Sequence, residues 1–284
     1  MDPEAGIFVV IDGVGGYAAG EVAAAMACQI IGQCLQEATD PSEERLRKAI
    51  TTANNEIFQR SQDDEAVRDM ACVLTAVVIQ GGLVNYGHVG DTRLYEIRHA
   101  GINKITKDHS VVGLREDAGE LTEEEAMAHE RRHEILRDVG SSYRHIDDEP
   151  FVDIDEFSFA PDSALLLCSD GLTDAVPNHL IHETVTAHAG APEESVSALI
   201  ELARERGGRD DITVIVVEGT AFASSPRVWP SGGQDTAPPS FDAEAAPVPD
   251  TLGQRLFLFG GGVLAGFLTA LLLYFFIPYW HTHW

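Results

Sequence analysis

Short apolar runs and longer segments of helical period take turns along the first 218 residues of this 284-residue chain. Residues 6–11 are apolar and close on Asp12-Gly13, which predicts a buried strand. Over residues 18–38 the helical period places Val22, Met26, Gln29, Ile30, Gln33 and Leu35 so as to separate an apolar from a mixed face. A second helix is predicted over residues 41–62. Asp40-Pro41 supplies its cap and first position, and Glu43 and Glu44 sit in the first turn, where the helix dipole favours negative charge. Residues 71–80 and 83–89, split by Gly81-Gly82, read as a hairpin, and residues 92–98 and 102–106 around Ala100-Gly101 add further antiparallel strand. Residues 107–149 are highly charged with few apolar anchors, the pattern of an excursion over the surface. Beyond them residues 151–159 alternate, and 164–168 are wholly apolar and therefore central. Residues 177–188 and 192–206 are helical, and 212–217 close with a strand. Helices in consecutive pairs and strands in consecutive hairpins favour antiparallel sheets covered by helical layers, an α+β fold, over a parallel βαβ sheet.

The remaining quarter changes character. Residues 219–255 are rich in proline and small residues without periodicity, as expected of an extended, disordered linker. Residues 256–277 carry no charge and, at about 1.5 Å per residue, reach about 33 Å, enough to cross a bilayer core. Arg255 precedes this span and residues 278–284, a short aromatic tail, carry no lysine or arginine. The positive-inside rule then puts the large amino-terminal domain in the cytoplasm and makes the chain a single-pass protein of the cytoplasmic membrane. Gly262 and Gly266 form a GxxxG spacing of the kind that pairs helices, although apolar spans are glycine-rich in any case.

A formal net charge of −27 argues against a nucleic-acid partner, whose phosphates would be repelled. The four cysteines, Cys28, Cys34, Cys72 and Cys168, form no CxxC pair and lie in apolar segments, so buried free thiols are expected rather than disulfides or zinc ligands. Met1-Asp2-Pro3-Glu4 has no basic n-region, so no signal peptide is expected.

The candidate chemistry lies where aspartates meet the ends of apolar runs. Asp12 and Asp170 close predicted strands, Asp210 opens one, and Asp91 follows another in Tyr86-Gly87-His88-Val89-Gly90-Asp91-Thr92-Arg93. Carboxylates delivered this way, beside glycines that let backbone carbonyls approach, suit hard divalent cations. Without a thiolate pair or clustered histidines, the set favours Mg²⁺ or Mn²⁺ over zinc. Two such ions can activate a water and clamp a phosphoryl oxygen. Gly13-Val14-Gly15-Gly16-Tyr17-Ala18 also fits the dinucleotide-binding G-x-G-x-x-A. Against that reading, a second helix follows the first, and Asp12 would oppose a pyrophosphate.

Five segments in order carry a resemblance: Val10-Ile11-Asp12-Gly13-Val14-Gly15-Gly16, residues 87–93, Ile105-Thr106-Lys107-Asp108-His109-Ser110, Leu167-Cys168-Ser169-Asp170-Gly171-Leu172-Thr173-Asp174 and Arg209-Asp210-Asp211-Ile212-Thr213-Val214. Over about residues 5–218 the chain resembles the metal-dependent protein phosphatases of the PP2C (PPM) family, bacterial type. The resemblance implies a four-layer α-β-β-α sandwich of two antiparallel sheets flanked by helix pairs. It implies hydrolysis of phosphoserine and phosphothreonine on proteins, opposing Ser/Thr kinases, with two or three Mg²⁺ or Mn²⁺ ions. In that scheme Asp12 bridges two ions, the Gly13 carbonyl binds one, Asp170 and Asp210 hold the other, and Asp91 joins Asp170 on a third. Residues 107–140 take the place of the variable flap beside the cleft. His129 there is a candidate substrate contact, next to the plainer reading of a solvated surface histidine.

The chain also departs from the family pattern. The family's phosphate-gripping arginine strand and its Asn-Glu-Asp turn are expected ahead of Met1, so an amino-terminally truncated form is expected. The alternative function is then a catalytically weak or inactive phosphoprotein-binding module. Val14 stands where many eukaryotic members carry a histidine, and Cys72-Val73 where a threonine pair is usual.

Overall fold

The computed structural model describes residues 1–15, 17–37, 42–208 and 210–224. The predicted membrane span 256–277 with Gly262 and Gly266, the tail 278–284 and the linker from residue 225 lie outside the described residues. Among the described residues eight strands build two antiparallel four-stranded sheets. The first contains β1 (Ile7–Val14), β2 (Ala71–Gln80), β3 (Leu83–Val89) and β6 (Asp153–Ser158), in the order β1-β2-β3-β6. The second contains β4 (Arg93–Arg98), β5 (Gly101–Lys104), β7 (Ala164–Cys168) and β8 (Val214–Glu218), in the order β5-β4-β7-β8. Helices α1 (Tyr17–Glu37) and α2 (Ser42–Asp63) cover the first sheet. Three more stand apart from that pair: α3 (Val111–Asp117) and α4 (Glu123–Met127) in the flap, and the one-turn α5 (Asp170–Thr173) after β7. Helices α6 (Asn178–Ala187) and α7 (Pro192–Glu205) cover the second sheet.

Strand periodicity sorts the apolar residues into three layers. Along β7, Ala164, Leu166 and Cys168 face the helices, while Leu165 and Leu167 face the other sheet. Along β2, Cys72, Leu74, Ala76 and Val78 face α1 and α2, while Val77 joins Phe8, Val10, Val84 and Leu94 between the sheets. An uninterrupted apolar strand is thus buried on both faces, each side chain of leucine size contributing about 1.5–3 kcal/mol.

On α1 the fully buried stripe is Ala23, Ala27, Ile31 and Leu35, at a spacing of four; Val22, Met26 and Ile30 are only half-buried. The amino-terminal half of this stripe is alanine because the helix there runs close to β1. A Cβ placed on Gly20 would stand 2.9 Å from the Gly13 carbonyl carbon. Residues 18–36 are long and apolar enough to cross a membrane, yet this stripe binds them to α2 and the first sheet. Cys28 is exposed on the outer face of α1 and Cys34 is half-buried, so only Cys72 and Cys168 meet the expectation of buried thiols.

Several boundaries move, two of them for a visible reason. The strand expected over residues 102–106 is Gly101–Lys104, because Thr106 turns its hydroxyl back to accept the Leu94 N–H (3.0 Å). Residues 219–224, predicted to begin the linker, belong to the folded unit. Phe222 is fully buried and stacked on His99 at 5.0 Å, and His99 Nε2 donates to the Phe222 carbonyl.

Gly20→Ala sets two effects against each other. Alanine in a helix gains about 1 kcal/mol over glycine, but forcing a methyl against backbone costs about 1–3 kcal/mol. The clash wins because Gly13 backbone cannot rotate away, so a lower urea midpoint is expected; a higher one would show that the β1–α1 approach is slack.

Candidate active site

The inner layer of the sandwich is apolar from Phe8 to Val10 and then turns acidic, for the next inward position on β1 is Asp12. Asp12 therefore lies within β1, two residues before its end, and not at the terminus the sequence suggested. On the neighbouring sheet β7 ends at Cys168, and Asp170 opens α5. Asp91 sits in the turn between β3 and β4. Asp210 is in the loop ahead of β8, which starts at Val214 and not at the predicted Ile212. That loop is stitched to α5: Ser169 Oγ donates to the Asp211 carbonyl (3.0 Å) and accepts the Thr213 N–H (3.0 Å). Gly171 permits the contact, since a Cβ there would fall 2.4 Å from the Asp211 oxygen.

These aspartates perturb one another. Burial pushes the Asp170 carboxyl well above the ordinary range, and Asp91, Asp12, Asp174 and Asp210 all push the same way. Asp12 is raised by burial, and Asp210 adds to this while a hydrogen bond with Asp170 opposes it. Asp91 is pushed up to about 7, first by burial and then by Asp108, with Arg93 opposing. Asp170 Oδ1 is buried with no hydrogen-bond partner. Thiolates are absent from the donor set, since burial pushes the Cys168 thiol up to about 12 and raises Cys72 as well. Crowded, mutually repelling oxygens with one buried atom unpaired fit a hard divalent cation such as Mg²⁺ or Mn²⁺.

A shell of neutral and paired groups holds this cluster in place. His88 is fully buried, its pKa is lowered to about 4 by burial and by His109, and it is therefore neutral. Its Nε2–H donates to the Lys107 carbonyl (3.0 Å), and Nδ1 accepts from the Thr75 hydroxyl (2.9 Å). Thr75 in turn meets Thr92 Oγ1 at 2.8 Å, joining β2 to the turn that carries Asp91. His109 clamps that turn from the other side: its Nδ1 accepts the Gly90 N–H (3.0 Å), and its backbone N–H donates to the Gly90 carbonyl (2.6 Å). Its Nε2–H then faces Asp153 Oδ2 at 3.0 Å. Arg93 pairs with Asp108 at 2.6 Å and Glu116 at 3.5 Å, which secures α3 at the base of the flap. The far end of the flap is fixed by buried Asn54, which accepts the Gly140 N–H (2.8 Å) and donates to the Ser142 carbonyl (2.8 Å).

The flap brings residues to the cluster that the sequence reading passed over. Arg132 Nε donates to Asp174 Oδ2 at 3.2 Å, and His133 Nδ1 stands 3.6 Å from the same oxygen. Asp174 is four residues after Asp170 and so shares a face of the α5 turn; ligand atoms of His133, Asp170 and Asp174 all lie within 4.8 Å of one another. The Asp170–Asp174 spacing was visible in the sequence, but the approach of Arg132 and His133 is a long-range contact with no local signal. His129 is approached by two donors, Arg115 Nη1 at Nε2 (3.1 Å) and the Arg131 N–H at Nδ1 (3.1 Å), and since an imidazole has at most one accepting nitrogen it takes only one of these bonds. Asp2 sits at the opposite end of β1 from Asp12, bonded to Gln36 (3.0 Å) and the Ala5 N–H (3.1 Å).

The family profile described as Protein phosphatase 2C matches residues 2–204. Serine/threonine phosphatase stp of Listeria monocytogenes is 34% identical over 219 residues, covering 75% of this chain and 84% of that protein. The crystal structure of the Mycobacterium tuberculosis serine/threonine phosphatase PstP/Ppp superposes with a TM-score of 0.66 at 30% identity, covering 75% of this chain and 88% of that one. The PstP catalytic domain in complex with two manganese ions gives a TM-score of 0.64 at 30% identity over 74% of this chain and 86% of that one.

An acid raised from its unfolded value of about 4 stabilises the fold below that pH, and the contribution is lost as pH rises through the folded pKa, near 7 for Asp91. Cations bind the ionised carboxylates, so the increase in Tm on adding Mn²⁺ is expected to grow between about pH 5.5 and pH 8. A constant or shrinking increase in thermal melts across that range would contradict the assignment of these groups.

Proposed function

Because the chain belongs to the protein phosphatase 2C family, we propose that it hydrolyses phosphoserine and phosphothreonine in proteins at the Asp12–Asp170–Asp210 cluster. The observation that carries this reading is the gathering of carboxylates from both sheets, buried Asp91, half-buried Asp12 and Asp170 and exposed Asp210, around the unpaired Asp170 oxygen. Asp12, with the Gly13 carbonyl, and the pair Asp170 and Asp210 would hold two Mg²⁺ or Mn²⁺ ions, with Asp91 and Asp170 serving a third. When bound, such ions supply an activated water and a positive field over the phosphoryl oxygens. The protein's own part is to fix these carboxylates and to exclude bulk water from the inner layer. It also presents the flap face bearing Arg132 and His133 to the substrate. His129 lies in this flap beside Arg115 and the Arg131 backbone and is a candidate substrate contact.

The substrates are phosphorylated proteins, and a Ser/Thr kinase is the natural opponent. We infer that residues 256–277 anchor the enzyme in the cytoplasmic membrane with the phosphatase domain, residues 1–224, in the cytoplasm, joined by the segment that follows. Such a tether raises the local concentration of membrane-borne substrates.

Full-length protein is expected to release phosphate from a phosphothreonine peptide with Mn²⁺ and to stop on chelation. Asp170→Asn should lower kcat/KM at least about a hundredfold, the scale of about 2.7 kcal/mol of lost transition-state stabilisation. An Asp170→Asn rate equal to wild type would overturn the assigned site. Binding of phosphopeptide without turnover would instead favour a phosphoprotein-binding module. The anchor is tested by expressing the full chain and a form ending at residue 224. Only the full chain should sediment with membranes and resist a carbonate wash.

A further inference from the structure

Asp210 also lines a groove of about 530 Å³, together with Arg132, His133, Asp174, Arg206 and the glycines 171, 207 and 208. Resting on the phosphatase reading above, we propose that this groove selects substrates carrying an acidic side chain beside the phosphoresidue. Three observations support it.

The first is charge. The protein carries a net −27 with only 19 lysines and arginines, so two guanidinium groups lining one groove run against the general character of its surface. The second is the way each guanidinium is held. Arg206 commits Nε to the Ala175 carbonyl at 2.7 Å, and its terminal amino groups have no protein partner among the described residues. Arg132 uses Nε on Asp174 at 3.2 Å, which fixes the flap side chain over α5 and leaves its remaining donors for a ligand. The planar fork of arginine suits a carboxylate or a second phosphate, and both sources share this chemistry. The third is position. Asp210 belongs both to the groove and to the catalytic cluster, and on the phosphatase reading its charge would be taken up by a cation, which would leave Asp174, already bonded to Arg132, as the remaining acid of the groove. An extended peptide advances about 3.3 Å per residue, so the anionic residue would fall about one to three positions from the phosphoresidue.

The test compares phosphothreonine peptides that differ only in flanking residues: glutamate, phosphoserine, alanine or lysine. The enzyme is the full-length chain with Mn²⁺. Each kcat/KM is divided by the same variant's value for p-nitrophenyl phosphate, so a general loss of activity cancels. Wild type is expected to prefer the glutamate or phosphoserine peptide over the alanine one by about three- to tenfold, with lysine the poorest and the preference shrinking as salt is raised. Arg206→Ala should bring the ratio close to one. Arg204→Ala, which removes the same charge from exposed α7 outside the groove, should leave it in place. Equal ratios in wild type, or a preference surviving Arg206→Ala, would overturn the proposal while leaving the phosphatase reading intact. Absence of hydrolysis with every peptide would overturn that reading, and this proposal with it.

Discussion

Mutual repulsion among buried carboxylates is the constraint on which the rest of the molecule depends. Asp12, Asp91 and Asp170 are each raised first by burial and then by neighbouring acids, Asp210 for Asp12, Asp108 for Asp91, and Asp91 with Asp12 for Asp170, so the fold gathers charges that would separate if left to themselves. What keeps them together is the sandwich. Phe8, Val10, Leu165 and Leu167 fix the inner faces of β1 and β7, and the acidic positions continue from these strands where the apolar layer ends. Neutral His88, the Thr75–Thr92 contact and the His109 clamp on Gly90 add rigidity without adding charge. Divalent cations convert this stored repulsion into binding strength, which connects the packing of the core to the chemistry at its rim.

The flap shows the same logic in reverse, since there opposite charges are paired. Arg93 with Asp108 and Glu116 holds its base, Arg137 bonds Asp153 at 2.6 Å, and Arg132 reaches Asp174 beside the cluster. Asp153 is held well below the usual carboxylate range by hydrogen bonds from His109 and Arg137, which outweigh the opposing effect of its burial. The flap is therefore fastened at several points, and its Arg132–His133 face is carried to the groove by contacts distant in sequence.

Local pattern made most of the elements legible. The apolar runs gave the strands, Gly81-Gly82 gave the hairpin turn, and the paired helices gave the layers. Face assignment was less accessible. Hydropathy weighted Val22, Met26 and Ile30 on α1, whereas the close approach at Gly13 and Gly20 required the alanine stripe and left Cys28 outside. The fully apolar β7 carried no periodic signal to say which leucines face which layer. Within the site, the aspartates at apolar-run ends were readable because acid next to glycine interrupts hydrophobic pattern. Arg132 and His133 were not, because their roles arise from a flap folding back onto Asp174 across about forty residues of chain. Phe222 escaped notice because a single aromatic among small residues resembles linker until its contact with His99 is seen.

On the proposed reading Asp12, Asp170 and Asp210 together form a cation-binding catalytic cluster. Crystals equilibrated with Mn²⁺ and measured at the manganese edge test it most directly, because anomalous difference peaks report the ions independently of turnover. Two strong peaks enclosed by the carboxylates of Asp12, Asp170 and Asp210 are expected. Strong peaks elsewhere on this acidic surface, with none inside that cluster, would contradict it.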